Sequence, residues 1–163
     1  MNIVHIFDIA TDTWFTQRTT AQVMNPSGRI NMCSVVASAE DNSSHNIYIY
    51  GGYYQDFSTN GAGTNEILVL TLPAFRWIFV YPSYYRDDTR RVSGHKCQKV
   101  YEKHMVAYRG RNFNGYCDKE ETLQKFQGMG IYDMSSLKWT TKVELEDQKY
   151  LVPEVLYGII GGK

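Results

Sequence analysis

One short pattern recurs three times along the chain and constrains its fold more than any other feature. Each copy has an apolar stretch, a short polar or proline-containing turn and a final tryptophan. The copies span residues 7–14, 70–77 and 132–139. The tryptophans Trp14, Trp77 and Trp139 are 63 and 62 residues apart. A pattern at a fixed period of this kind is typical of proteins built from stacked structural repeats.

Two further elements recur at the same period. An apolar run that ends in glycine occupies residues 47–52, 105–110 and 156–162. A polar-apolar stretch precedes each run, at residues 30–37, 94–101 and 150–155. Each unit therefore has four short strands with turns between them, which is typical of one antiparallel propeller blade. A tryptophan at the same strand of every unit is predicted to fill the gap between adjacent sheets.

The repeat predicts an all-β fold: a partial, open β-propeller with about three blades of four-stranded antiparallel sheet. Within residues 1–163 we expect a half blade at 1–17, blades at 29–80 and 94–142, and a half blade at 150–163. Closed propellers have about 4–8 blades. Three blades cannot close, so the terminal blades are expected to expose an apolar face and to favour self-association.

The composition excludes some partners and supports the β assignment. Lysine plus arginine and aspartate plus glutamate both number 17, so the net charge is zero and no nucleic-acid partner is indicated. The 13 tyrosines, 7 phenylalanines and 3 tryptophans favour β structure. The N-terminus lacks the features of a secretory signal, and no apolar window is long enough for a transmembrane segment.

The order of a glycine pair, a Tyr-Asp or Phe-Asp, and a tryptophan six positions later resembles the kelch repeat. The usual kelch period is about 50 residues, so the longer period here implies insertions at 53–65 and 111–128. Residues 33–36, 41–44, 65–70, 94–97 and 132–139 are similar to those of fungal cell-surface kelch-repeat proteins. This resemblance implies a galactose-oxidase-like propeller in an extracellular, membrane-anchored protein. Arg109 and Gly110 depart from the expected glycine pair.

The histidines and cysteines give no pattern typical of a catalytic, cofactor or metal site. No histidine pair has a metal-ligand spacing, and no Cys-x-x-Cys occurs. We therefore expect no catalytic residues, no cofactor and no metal, and interpret His95 as a packed structural residue. Cys97 and Cys117 flank a strand and its outgoing loop and are expected to form a disulfide in an oxidising compartment, the alternative being two free thiols. Cys33 is expected to stay free as a small buried hydrophobe.

Two surface features remain. Asn42-Ser43-Ser44 is a glycosylation sequon, so Asn42 is a candidate glycan attachment site in a secreted setting. A segment rich in aromatic and charged residues lies between the predicted blades, and such residues are favoured at recognition surfaces. An ordinary solvated loop is the alternative. The candidate interaction residues are Tyr84, Tyr85, Arg86, Arg90 and Arg91.

These observations predict a non-catalytic kelch-repeat module that binds a protein or a glycan, as a fragment of a larger cell-surface protein. Rigid propellers that present variable loops suit such binding. Two alternatives remain open. In the first, the chain is part of a galactose-oxidase-like carbohydrate enzyme. In the second, it is a truncated gene copy with no independent activity.

Overall fold

The computed structural model describes residues 1–22, 24–54, 64–80, 92–108, 110–112, 129–143, 145 and 149–160. In chain order the elements are β1 (Ile3–Asp8), β2 (Thr13–Arg18), β3 (Thr20–Ala21), β4 (Arg29–Ile30), β5 (Cys33–Ser38), β6 (His45–Tyr50), β7 (Tyr53–Tyr54), β8 (Ile67–Leu72), β9 (Arg76–Val80), β10 (Val92–Ser93), β11 (Lys96–Val100), β12 (His104–Tyr108), β13 (Arg111–Asn112), β14 (Met129–Asp133), β15 (Lys138–Thr140) and α1 (Glu154–Ile160).

Two larger sheets form the body of the fold. The first has the strand order β3-β9-β8-β6-β5, and the second has the order β11-β12-β14-β15. Every pairing in them is antiparallel apart from the short parallel pair β3–β9. The predicted all-β class of open, partial propeller type is therefore confirmed, whereas the exact limits of its units stay a prediction.

The three copies of the sequence repeat form three hairpins with the same strand register. Each tryptophan pairs with the residue seven positions before it, in the pairs Phe7↔Trp14, Leu70↔Trp77 and Tyr132↔Trp139. The residue two positions before each tryptophan has a left-handed backbone, with φ of 52°, 50° and 57° at Asp12, Phe75 and Leu137. Non-glycine residues rarely adopt this conformation, so its recurrence marks one turn geometry used three times.

An aspartate orders the turn in two of these hairpins. The Asp8 carboxylate accepts hydrogen bonds from the Ala10 amide and the Thr11 hydroxyl. The Asp133 carboxylate accepts hydrogen bonds from the amides of Ser135 and Ser136. Side-chain acceptors of this kind fold the chain back locally, which explains why an aspartate closes the strand in these two copies.

The main core lies between the two larger sheets. It contains Tyr48 and Ile67 from the first sheet, Met105 and Tyr132 from the second, and Leu156 from α1. A second apolar cluster lies on the other face of the first sheet, where Leu68, Leu70 and Trp77 pack against Met1 and Val4 at the start of the β1–β2 hairpin. The indole of Trp77 donates a hydrogen bond to the Met1 carbonyl over 3.1 Å.

The predicted burial of all three tryptophans is wrong for Trp14. Trp77 is 3% exposed and Trp139 is half-buried, but Trp14 is 68% exposed. Trp139 packs against Tyr50 of the preceding unit and Trp77 against the preceding hairpin. Within the described residues, no preceding sheet covers the corresponding side of β1–β2, so Trp14 has only Phe7 to stack against.

The strand predicted across residues 156–162 is also wrong where the structure describes it. Residues Glu154–Ile160 form α1, which begins after the buried Pro153. Short apolar runs do not by themselves distinguish a strand from a helix. The helix is favoured because Leu156 and Ile159, one turn apart, both pack on the main core. In the described part of the chain, no helix has the length and apolar character needed to cross a membrane.

Candidate functional site

The edge strands β5 and β11 of the two larger sheets lie next to each other, and their ends bring together two cysteines and a histidine. Cys33 is the first residue of β5, Cys97 is the second of β11, and His95 immediately precedes β11. Two backbone hydrogen bonds connect the units here. The Gly52 amide donates to the Val92 carbonyl, and the Gly94 amide donates to the Asn31 carbonyl. We call Cys33, His95 and Cys97 the inter-sheet cluster.

Cys33 and Cys97 form a disulfide in the structure, with their Cα atoms 5.5 Å apart. The expectation that Cys97 pairs with Cys117 while Cys33 stays free is therefore corrected, and Cys117 itself lies outside the described residues. The physical reason is that the first strands of successive units adjoin, so residues one period apart become neighbours. A cross-link over a sequence separation of 64 residues stabilises the fold by about 4 kcal/mol in the chain-entropy account.

His95 sits in a close-fitting pocket of backbone and aromatic groups. A Cβ atom added to Gly51 would lie 2.6 Å from Cε1 of His95, and one added to Gly110 would lie 2.8 Å from its Cβ. The Tyr50 ring meets the imidazole edge-on, with the ring centroids 4.9 Å apart. Close approach therefore requires glycine at the ends of the first two apolar runs, as the sequence predicts, and Gly110 meets this requirement although Arg109 replaces the first glycine of its pair. In the third run a Cβ added to Gly158 would meet nothing within 4 Å, so the prediction does not hold at that glycine, and the glycines that end the run lie outside the described residues.

The polar groups of His95 are poorly satisfied. The residue is 3% exposed, and among the described residues neither ring nitrogen has a hydrogen-bond partner of acceptable geometry. Burial lowers the pKa of His95 to about 4, an effect that the nearby Tyr50 backbone partly offsets. An unsatisfied buried polar group typically costs about 1–3 kcal/mol. The thiol-derived sulfurs of Cys33 and Cys97 and a His95 nitrogen all lie within 4.8 Å of one another.

A buried ion pair holds the backbone on which the cluster rests. Arg29 contacts Glu66 over 2.9 Å and donates a hydrogen bond to the Gly51 carbonyl over 3.4 Å. The Tyr54 hydroxyl donates to the same Glu66 carboxylate over 2.8 Å, and its ring lies beneath the Arg29 guanidinium. Burial together with the Glu66 carboxylate raises the pKa of Tyr54. The network fixes Gly51, and through it the position of His95.

Three tyrosines meet in the core between the two sheets. The Tyr48 hydroxyl lies 2.9 Å from the Tyr150 hydroxyl and 2.9 Å from the Met134 carbonyl, to which it donates. Tyr132 packs beside Tyr48 with ring centroids 6.5 Å apart. Burial raises the pKa of Tyr150 to about 12 and also raises the pKa values of Tyr48 and Tyr132. These phenols stay protonated at physiological pH and serve as neutral core groups.

The β1–β2 hairpin presents a second candidate site, an exposed apolar surface. Directly opposed residues share a face, which places Ile3, Phe7 and Trp14 on the side away from the first sheet. Phe7 is 41% exposed, and its ring lies 5.0 Å from that of Trp14. We call Ile3, Phe7 and Trp14 the hairpin face. Sequence reasoning missed this site because the repeat position of Trp14 indicated a core residue.

The other candidate residues have separate outcomes. Asn42 is exposed in the turn between β5 and β6, where its backbone N–H donates a hydrogen bond to the Ala39 carbonyl over 2.9 Å. It therefore stays a predicted glycosylation site in an accessible position. The predicted interaction residues Tyr84, Tyr85, Arg86, Arg90 and Arg91 lie outside the described residues.

Comparison with known proteins agrees with the structural repeat. No protein-family model matches the chain. The chain is 29% identical, over an alignment of 192 residues, to a kelch repeat-containing protein of Arthroderma benhamiae. The alignment covers 99% of this chain but 26% of the relative, so the chain spans about a quarter of that protein's length. The chain is therefore similar to a kelch-repeat protein along nearly its whole length, and the predicted resemblance to the kelch-repeat family is confirmed.

Proposed function

We propose that the chain acts as a non-catalytic kelch-repeat module that binds a protein, and that the hairpin face is its contact surface. The observation that supports this proposal is the exposure of Trp14 and Phe7 side by side on a regular hairpin. Contiguous exposed apolar surface on a folded chain is a common mark of an interaction site. Tryptophan is also enriched among residues that contribute most to binding.

The equivalent tryptophans indicate what kind of partner fits this face. Trp139 packs on Tyr50 from the first sheet, and Trp77 belongs to the apolar cluster against which Val4 from the β1–β2 hairpin packs. In both places a tryptophan of one unit meets the apolar face of another β-sheet. The occupant of the hairpin face is accordingly a partner protein that presents the apolar face of a sheet.

The size of the face agrees with this role. With side-chain areas of up to about 250 Å² for large aromatics, the exposed parts of Trp14 and Phe7 amount to roughly 250 Å². Burying that area contributes about 6 kcal/mol at about 25 cal/mol per Å², before the entropic cost of association. The face therefore supplies an apolar anchor, and further contacts around it would set the affinity.

Self-association of the isolated chain tests this proposal, since a second copy offers the same kind of apolar sheet. Light scattering after size-exclusion chromatography should show oligomers whose fraction increases with protein concentration. The chain should also bind an environment-sensitive apolar dye. Replacing Trp14 and Phe7 together by threonine should give a monomer with little dye binding. Leu151→Thr, at an exposed residue away from the hairpin, should leave both properties unchanged. A wild-type monomer that binds no dye would contradict the proposal.

Glycan binding is a second candidate, because an exposed tryptophan beside a phenylalanine also suits stacking against a sugar ring. Quenching or enhancement of Trp14 fluorescence by oligosaccharides, absent in Trp14→Thr, would favour it over protein binding. The resemblance to cell-surface proteins supports an extracellular site of action for either role. The exposed position of Asn42 is consistent with that location, and a mobility shift after enzymatic deglycosylation of the secreted protein tests it.

A further inference from the structure

The inter-sheet cluster combines three groups that are known metal ligands. Cysteine thiolates and a neutral imidazole are the preferred ligands of Zn²⁺. Their donor atoms come from adjacent edge strands of two sheets and all lie within 4.8 Å of one another. We propose that the reduced chain binds one Zn²⁺-type cation through the sulfurs of Cys33 and Cys97 and a ring nitrogen of His95, and that oxidation to the disulfide closes this site.

The unsatisfied histidine is the second observation that supports a ligand here. Cores rarely bury an imidazole with both nitrogens unsatisfied, and His95 is in this position among the described residues. It is 3% exposed, and its ring is held between Tyr50 and Gly51. A metal bond to one ring nitrogen would satisfy an atom that makes no hydrogen bond of acceptable geometry among the described residues.

The spacing fits a tetrahedral ion after a small adjustment. With Zn–S bonds of about 2.3 Å and Zn–N bonds of about 2.0–2.1 Å, neighbouring ligand atoms lie roughly 3.6–3.8 Å apart. The upper limit of 4.8 Å on the distances between donor atoms is therefore about 1 Å wider than needed, and the two sulfurs, which are bonded in the structure, must move apart on reduction. Because the Cα atoms of Cys33 and Cys97 are 5.5 Å apart, side-chain rotation rather than strand movement supplies the adjustment.

The charges also balance at a buried site. Two thiolates neutralise the two positive charges of Zn²⁺, and His95 contributes as a neutral ligand. No further charged group is required, which suits a cluster that lies against the uncharged Tyr50 ring and the glycines Gly51 and Gly110. Three protein ligands leave one coordination position for water or another small ligand.

Metal binding and the disulfide exclude each other because they use the same two sulfur atoms. On metal binding the two thiols release two protons as they become thiolates. On oxidation the two thiols transfer two electrons and two protons to a small-molecule disulfide, which becomes two thiols while the Cys33–Cys97 bond forms. The cluster is thus a site whose metal affinity depends on the surrounding thiol–disulfide balance.

Cobalt spectroscopy on the full chain tests the proposal. The chain reduced with a phosphine reductant should bind one equivalent of Co²⁺ and show the visible d–d bands and thiolate charge-transfer absorption of a tetrahedral site. Zn²⁺ should then displace the cobalt and remove both signals. The same chain in its oxidised form should show neither signal. This comparison requires no substitution, so it does not depend on whether a variant folds.

Variants identify the ligands. His95→Gln and Cys33→Ser should each lower the Co²⁺ affinity by more than the roughly 10–100-fold that loss of an indirect supporting contact usually causes. His5→Gln, at an exposed histidine, and Cys117→Ser should leave the affinity unchanged. Circular dichroism establishes that each variant is folded. A reduced wild-type chain that gives no cobalt signal, or a signal that depends on Cys117 instead of Cys33, would overturn the proposal.

Discussion

The repeat-equivalent residues Trp77 and Trp14 should respond very differently to truncation. Trp77 is 3% exposed, packs in the second apolar cluster and donates a hydrogen bond to the Met1 carbonyl. Truncating a buried large aromatic to alanine costs about 3–5 kcal/mol. We expect Trp77→Ala to lower the free energy of unfolding by an amount in the upper part of that range, since the hydrogen bond to Met1 is also lost.

The same change at Trp14 has a smaller cost that can be worked from its exposure. Trp14 is 68% exposed, so about a third of a side-chain area of up to about 250 Å² is out of contact with water. At about 25 cal/mol per Å², Trp14→Ala should lower the free energy of unfolding by at most about 2 kcal/mol. Urea denaturation followed by far-ultraviolet circular dichroism measures both variants. Equal losses at the two positions would refute the inference that Trp77 faces another unit and Trp14 faces solvent.

Other expected outcomes concern the glycine that packs against His95 and the buried tyrosines. Gly51→Ala should lower the free energy of unfolding by about 2–4 kcal/mol, because its new Cβ would meet His95 and Val92 at 2.6 Å and its φ is +63°. Gly94→Ala, with a similar φ but open space around it, should cost only about 1–2 kcal/mol; equal urea midpoints for the two variants would contradict the close fit. Burial raises the pKa of Tyr150 above its ordinary value of 10.0 to about 12, so the stability linked to this group is complete below pH 10 and is lost as pH rises towards 12. Absorbance of tyrosinate should show such phenols ionising only with unfolding; full ionisation of all tyrosines near pH 10 in the folded chain would argue against the buried cluster.

Much of the fold could be predicted from the repeat, because local chemistry determines it. A six-residue step from Asp8 to Trp14, repeated from Asp133 to Trp139, fixes the turn length, and the structure has the same register in each hairpin. The glycines at positions 51 and 110 could also be predicted as places of close backbone approach. The helix α1 could not, since the apolar run that contains Leu156 fits either a strand or a helix, and packing on the core selects the helix.

The candidate site was harder to predict because it depends on contacts between units. The expected Cys97–Cys117 pairing used proximity along the chain, whereas the structure pairs Cys97 with Cys33 across a separation of 64 residues. A signal for this pairing was present, since 64 is close to the tryptophan spacings of 63 and 62. Residues one period apart occupy equivalent strands of neighbouring units. Similarly, the exposure of Trp14 depends on what covers the β1–β2 hairpin, which no local pattern specifies.

Successive repeat units stack with their first strands, β5 and β11, side by side, which brings Cys33 to Cys97. Mapping the cysteine cross-links of the oxidised chain tests this stacking. Proteolysis without reductant, after free thiols are blocked, followed by mass spectrometry identifies the linked peptides. We expect a peptide pair that joins Cys33 to Cys97, with Cys117 recovered in its blocked form. A pair that joins Cys97 to Cys117, with Cys33 blocked, would contradict both the stacking and the inter-sheet cluster.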